Sequence, residues 1–140
     1  MKIICANCLT INNVPQKDTY KKVNCGNCKE SLLENKIINA NADNIDKILS
    51  HSDIPVIVDF WAPWCDPCKS FAPVFSEVSK EFPLKVLFVK IDTQSEQFLG
   101  SRFKIRSIPT LAVFKEEKEI QRVSGSMNRD SFENFVRKFI

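Results

Sequence analysis

Six cysteines fall into three pairs of identical spacing, Cys5/Cys8, Cys25/Cys28 and Cys65/Cys68. Two pairs lie in the first 28 residues, while the third stands alone behind the apolar run Val56-Ile57-Val58-Asp59-Phe60. This four-plus-two division predicts two uses of sulfur on one chain. Residues 1–8 lack the basic-then-apolar pattern of a signal peptide, and no apolar stretch approaches the length of a membrane span. The expectation is therefore a cytoplasmic protein without membrane attachment. In a reducing compartment, cysteines in such groups serve metal ligation or thiol exchange in preference to structural disulfides.

The amino-terminal four have the spacing of two ligand-bearing knuckles facing each other across sixteen residues. Four soft thiolates suit tetrahedral zinc, with an iron–sulfur centre, disulfides and unused thiols as alternatives. Gly26 is expected to ease the second knuckle's turn. Protein sulfur fills all four positions, so one structural Zn2+ held by Cys5, Cys8, Cys25 and Cys28 is expected, and not a catalytic ion. Residues 1–32 contain few large apolar side chains, so metal binding should couple to their folding as a small module. They also hold the whole formal excess of +3, because positive and negative side chains balance over residues 33–140. Without an arginine cluster or repeated exposed aromatics, that excess does not indicate a nucleic-acid partner.

Residues 33–140 read as an α/β domain. Strand patterns occur at 36–38, 55–60, 85–91, 110–115 and 119–123, and apolar residues at helical spacing occupy 42–50, 66–80 and 129–139, with a shorter helix over 95–102. Strands alternating with helices and then two adjacent strands predict a mixed sheet with an antiparallel end. Pro73 should bend the second helix without ending it. Val56-Ile57-Val58 has no alternation, which marks a strand covered on both faces. Asp59 inside that run is then either a costly buried carboxylate with a purpose or a solvated strand end. His51, the sole histidine, reads as a surface loop residue.

Cys65-Asp66-Pro67-Cys68 sets two thiols at helix-start spacing, where one turn brings the sulfurs together and its free N–H groups can lower the first thiol's pKa. Spacing alone leaves redox chemistry open against packed core cysteines or half a metal site.

Val58-Asp59-Phe60-Trp61-Ala62-Pro63-Trp64-Cys65, with Pro67-Cys68-Lys69, resembles the active-site segment of thioredoxins. Phe88-Val89-Lys90-Ile91-Asp92 and the stretch from Ser101 to Thr110 are similar to that family's third strand and proline loop. With the preceding cysteines, the whole chain resembles the bacterial zinc-containing thioredoxin 2 type. The resemblance implies a three-layer thioredoxin-like fold around a central mixed sheet over residues 33–140. It implies a protein dithiol–disulfide oxidoreductase that carries electrons from a thioredoxin reductase to disulfide-containing proteins. It assigns Cys65 as attacking thiolate, Cys68 as resolving thiol, Asp59 and Lys90 to proton transfer, and Pro109 as a cis-proline facing the dithiol. Trp64, Pro67, Ile108, Pro109 and Gly125 would form the substrate surface, with Trp61 supporting the site from below. Asp66 and Glu116-Glu117-Lys118 depart from family positions that usually contain glycine. A carboxylate at 66 should oppose Cys65 ionisation, and the second change puts the hairpin geometry in doubt. The alternative function is a zinc-dependent chaperone or protein-binding module that holds clients through Trp64 and the neighbouring apolar loop.

Overall fold

The computed structural model describes residues 1–140. Its elements run β1 (Lys2–Ile4), β2 (Ile11–Asn13), β3 (Ile38–Asn39), α1 (Ile45–His51), β4 (Val56–Trp61), α2 (Asp66–Ser79), β5 (Leu87–Asp92), α3 (Gln97–Arg102), β6 (Thr110–Lys115), β7 (Lys118–Ser124) and α4 (Arg129–Arg137). The first two strands form an antiparallel hairpin, and the others form one sheet ordered β3-β5-β4-β6-β7. β4 is parallel to β5 and antiparallel to β6, so the sheet is mixed, with β7 as its antiparallel end. No helix is long and apolar enough to cross a membrane.

Strand periodicity divides the core. Val56, Val58 and Phe60 of β4 join Ile45, Ile48 and Leu99 on one face, while Ile57 joins Phe71, Phe75, Phe132 and Val136 from α2 and α4 on the other. On the second face Phe71, Phe75, Phe88 and Phe132 meet at ring-centroid separations of 5.1–6.3 Å, mostly edge to face. That geometry adds about 0.5–1.5 kcal/mol per aromatic pair to the area buried. α2 continues through Pro73, which lies on its exposed side, to Ser79.

Several boundaries differ from expectation because side chains intercept the backbone. Asn41 Oδ1 accepts from the N–H groups of Asp43 and Asn44, which holds a turn and delays α1 to Ile45. Asp92 Oδ1 accepts from Gln94 and Ser95, and α3 begins at Gln97 instead of 95. His51 is the half-buried last residue of α1 and not a loop residue; Lys47 O lies 3.1 Å from its Nδ1. The hairpin β1–β2 had no sequence signal, since three-residue strands containing two asparagines carry too little alternation.

The amino-terminal segment is not a free appendage. Ile3, Ile4, Val14 and Leu32 belong to the same buried cluster as Ile45, Ile48, Ile54 and Leu84. Lys2 N–H donates to Asp53 Oδ2 (2.6 Å) and Asp53 N–H donates to Lys2 O (3.1 Å), joining β1 to the approach of β4. Between segment and domain, buried Asn35 donates its side-chain amide to Ser79 O (2.6 Å) and Val86 O (3.3 Å).

The β6–β7 turn places Glu116 at φ 51° and Glu117 at φ 70°. Positive φ at both positions is the signature of a type I′ two-residue turn, a geometry that asparagine and glycine adopt far more readily than glutamate. The double substitution Glu116→Asn and Glu117→Gly should therefore stabilise the fold by about 1 kcal/mol. Urea unfolding of both proteins tests this, and an unchanged or lower midpoint would show that the glutamates are not strained there.

Candidate functional site

β4 ends at Trp61 and the chain turns through Pro63 and exposed Trp64 into α2, whose N-cap is Cys65. Cys65 Sγ accepts from Cys68 N–H at 3.2 Å, so the sulfur itself satisfies a free amide of the first turn. Cys65 and Cys68 are disulfide-bonded across a Cα separation of 5.2 Å, and both are nearly inaccessible. Charge developing on Cys65 would meet the positive end of a fourteen-residue helix. The Asp66 side chain is 95% exposed and 3.9 Å from Lys69 Nζ, so solvent and a neighbouring cation screen its opposing field.

Asp59 lies inside β4 with no accessible surface, not at a solvated strand end. Both its oxygens lack a hydrogen-bond partner within the protein. Alternation along β4 directs it toward the α2 face with Ile57, and register sets it beside Lys90 on β5. Burial pushes its pKa up to about 7, against the attraction of Lys90. Lys90 Nζ sits 4.4 Å from the ring centroid of half-buried Trp61, which gives the cation an aromatic neighbour on the same face.

The loop before β6 completes the site. Ile108–Pro109 is cis, and Ile108 O lies 3.8 Å from Cys65 Sγ. Gly125, at φ 101°, donates its N–H to Pro109 O at 2.8 Å and so ties the end of β7 to this loop. Trp64 and Ile108 line one groove of roughly 350 Å³, while Pro67 is exposed within the first turn of α2. Phe98 of α3 is a large apolar side chain, 71% exposed, that does not line this groove.

The four amino-terminal sulfurs lie within 4.8 Å of one another. Cys5 and Cys28 sulfurs are 3.6 Å apart, as are those of Cys8 and Cys25. Tetrahedral zinc with bonds of about 2.3 Å separates its sulfurs by about 3.8 Å, so these residues fit a metal of that kind. The knuckles match: Leu9 N–H donates to Cys5 O and Lys29 N–H to Cys25 O, with Leu9 at φ 62° and Lys29 at φ 69°. Left-handed turns therefore fall one residue past each pair, and Gly26 is not the turn-making residue. It instead donates its N–H to Asn12 Oδ1 at 2.9 Å. Asn12 and Asn27 side-chain amides approach Cys25 and Cys8 sulfurs at 3.5 and 3.7 Å, a neutral donor shell suited to thiolates. Burial pushes the Cys5 thiol up to about 12, whereas hydrogen bonds from Thr10 draw Cys8 down to about 5.

Residues 36–138 match the thioredoxin family model. The chain belongs to the thioredoxin family. It is 42% identical over 127 residues to thioredoxin C-3 of Corynebacterium nephridii, covering 91% of this chain and 87% of that one. That match spans more residues than follow Leu32, so it reaches into the four-cysteine segment. Thioredoxin of Haemophilus influenzae is 36% identical over 105 residues, covering 75% of this chain and 98% of that one. Among solved structures, a mutant thioredoxin from Halobacterium salinarum superposes with a TM-score of 0.68 at 25% identity, covering 76% of this chain and 92% of its own. This is a thioredoxin-type dithiol–disulfide oxidoreductase, from a family that reduces protein disulfides and is re-reduced by thioredoxin reductase.

A carboxyl whose folded pKa lies near 7 binds a proton that the unfolded chain has already lost above pH 4. The stability this contributes is complete at low pH and is lost as pH rises through 7. Asp59→Asn should consequently stabilise the oxidised thioredoxin at pH 8.5 by about 2–4 kcal/mol, with the gain shrinking toward pH 4. Urea unfolding at several pH values measures it; a gain independent of pH would contradict the buried-acid account.

Proposed function

We propose that this thioredoxin reduces disulfides of cytosolic proteins through Cys65 and Cys68, and that a thioredoxin reductase restores its dithiol. The observation that carries the reading is the inequality of the two sulfurs' surroundings. Cys65 caps α2 beside exposed Trp64, whereas Cys68 lies within the first turn of the helix that packs over Asp59's face of the sheet. Cys65 thiolate attacks one target sulfur, the target S–S bond breaks, and its other sulfur leaves as a thiolate that takes up a proton. Cys68 then attacks Cys65 Sγ, the mixed disulfide breaks, and the second target thiol is released as the Cys65–Cys68 bond forms. Two electrons pass to the target, and the reductase returns two.

Asp59, with a pKa near neutrality, takes the Cys68 proton during resolution and is assisted by Lys90. Pro109 keeps the Ile108 backbone open to an extended target segment, while Trp64, Pro67, Ile108 and Gly125 supply the surrounding surface. Residues 1–32 form a zinc module and residues 33–140 the thioredoxin domain, as in zinc-containing thioredoxin 2 proteins. Zinc held by Cys5, Cys8, Cys25 and Cys28 would supply a structural cross-link. Exposed Trp64 and Phe98 favour, as a second reading, a chaperone-like surface that holds clients without exchange.

The order of attack separates these readings. With Cys68→Ser, a target disulfide should accumulate as a covalent adduct on Cys65; with Cys65→Ser, no adduct and no reductase-coupled turnover should appear. Mass analysis after identical exposure reads the outcome, and undiminished client holding by both variants without any exchange in the parent would favour the binding module. Metal analysis should give one zinc per chain, lost when Cys5 and Cys25 are both replaced by serine. Iron with labile sulfide, or zinc retained in that variant, would reject the metal assignment.

A further inference from the structure

Lys104, Arg106, Ser107, Thr110, Arg122 and Ser124 enclose a second depression of roughly 310 Å³ on the other side of the proline loop, without a single apolar or acidic lining residue. It shares Arg106 and Ser107 with the groove that contains Trp64, so those two residues form the ridge between the depressions. Three of its six lining side chains are cationic, although charges over residues 33–140 balance. The local excess is therefore a matter of placement and not of overall composition.

The three cations are not equivalent. Arg122 is already engaged: its guanidinium pairs with Glu119 at 2.7 Å and donates to Phe103 O (2.7 Å) and Lys104 O (3.1 Å). Its charge is offset, and its work is to pin the turn that carries Lys104. That turn holds Lys104 at φ 55°, a conformation costly to lysine and favoured by glycine. Neither Lys104 nor Arg106 has a carboxylate within ion-pair distance. The pocket thus presents two unpaired positive charges on a fixed frame beside the cis-proline. Its hydroxyls are largely committed internally: Thr110 donates to Ser107 O at 2.6 Å and Ser107 donates to Ser124 Oγ at 3.3 Å. A free oxyanion would find few directed donors, whereas a carboxylate delivered on a chain docked along the ridge needs only the charge.

We propose that this pocket is a carboxylate subsite, in which Lys104 and Arg106 select target proteins bearing an aspartate or glutamate close to the attacked cysteine. The proposal rests on the disulfide-reductase reading and adds a substrate preference to it. Complementary charge at such a rim acts mainly on encounter, so the effect belongs in kcat/KM and weakens with salt.

The test uses zinc-loaded full-length protein, reductase-coupled turnover, and a set of peptides that each contain one intramolecular disulfide. Glu, Gln or Lys is placed in turn at positions two to four residues to either side of the attacked cysteine. At one or two positions, Glu should raise kcat/KM about three- to tenfold over Lys, with Gln between, and 0.5 M salt should remove most of the difference. Lys104→Gly, which suits the backbone there, should at least halve the preference while leaving turnover of the Gln peptides unchanged, and Lys104→Arg should retain it. Equal rates for Glu and Lys peptides at every position, or a preference unaltered by Lys104→Gly, overturn the subsite alone. Failure to turn over any peptide overturns the reductase reading and the subsite with it.

Discussion

β4 is hydrogen-bonded along both edges and covered on both faces, and the placement of every reactive group depends on that confinement. A strand held in this way has one register available. A slip by one residue would send Asp59 to the face of Ile45 and Ile48 and bring Phe60 beneath α2. The same strand delivers Trp61 to the sheet's carboxyl edge, from which four residues carry the chain into the helix capped by Cys65. The buried acid and the dithiol are therefore fixed relative to each other by the backbone, with little left to side-chain adjustment.

The four-cysteine segment occupies the other end of the molecule. Its contacts fall on Asp53, before β4 starts, and on the cluster containing Ile54 and Leu84. β4 itself spans six residues, or about 20 Å, so the amino-terminal sulfurs stand too far from Cys65 to exchange with it in the folded chain. The two sulfur chemistries remain separate although they share a polypeptide rich in identical spacings.

Much of this was legible in the sequence. The non-alternating run at Val56, the helical spacing of Phe71, Phe75 and Val78, and the thioredoxin-like segments around Cys65 and Pro109 located the sheet, α2 and the dithiol. The four-plus-two grouping picked out the four cysteines whose sulfurs the fold brings within 4.8 Å of one another. What escaped was decided by contacts that sequence order does not display. Asn41 and Asp92 capture nearby amides and move helix starts, and Asn35 bridges to Ser79 and Val86 across more than forty residues. Leu9 and Lys29 adopt left-handed turns that residue type alone would give to glycine. Lys104 and Arg106 carry no separate signal in the sequence, because only the hairpin brings Arg122 and Ser124 beside them.

Ile3, Ile4, Val14 and Leu32 share a cluster with residues of α1 and β4, so melting of the amino-terminal segment would uncover apolar surface on that face of the sheet. A metal bound only by the folded knuckles would therefore stabilise more than the amino-terminal segment, through mass action. The thermal midpoint of the thioredoxin would then rise with free metal concentration, although the four sulfurs lie outside the dithiol that carries the electrons.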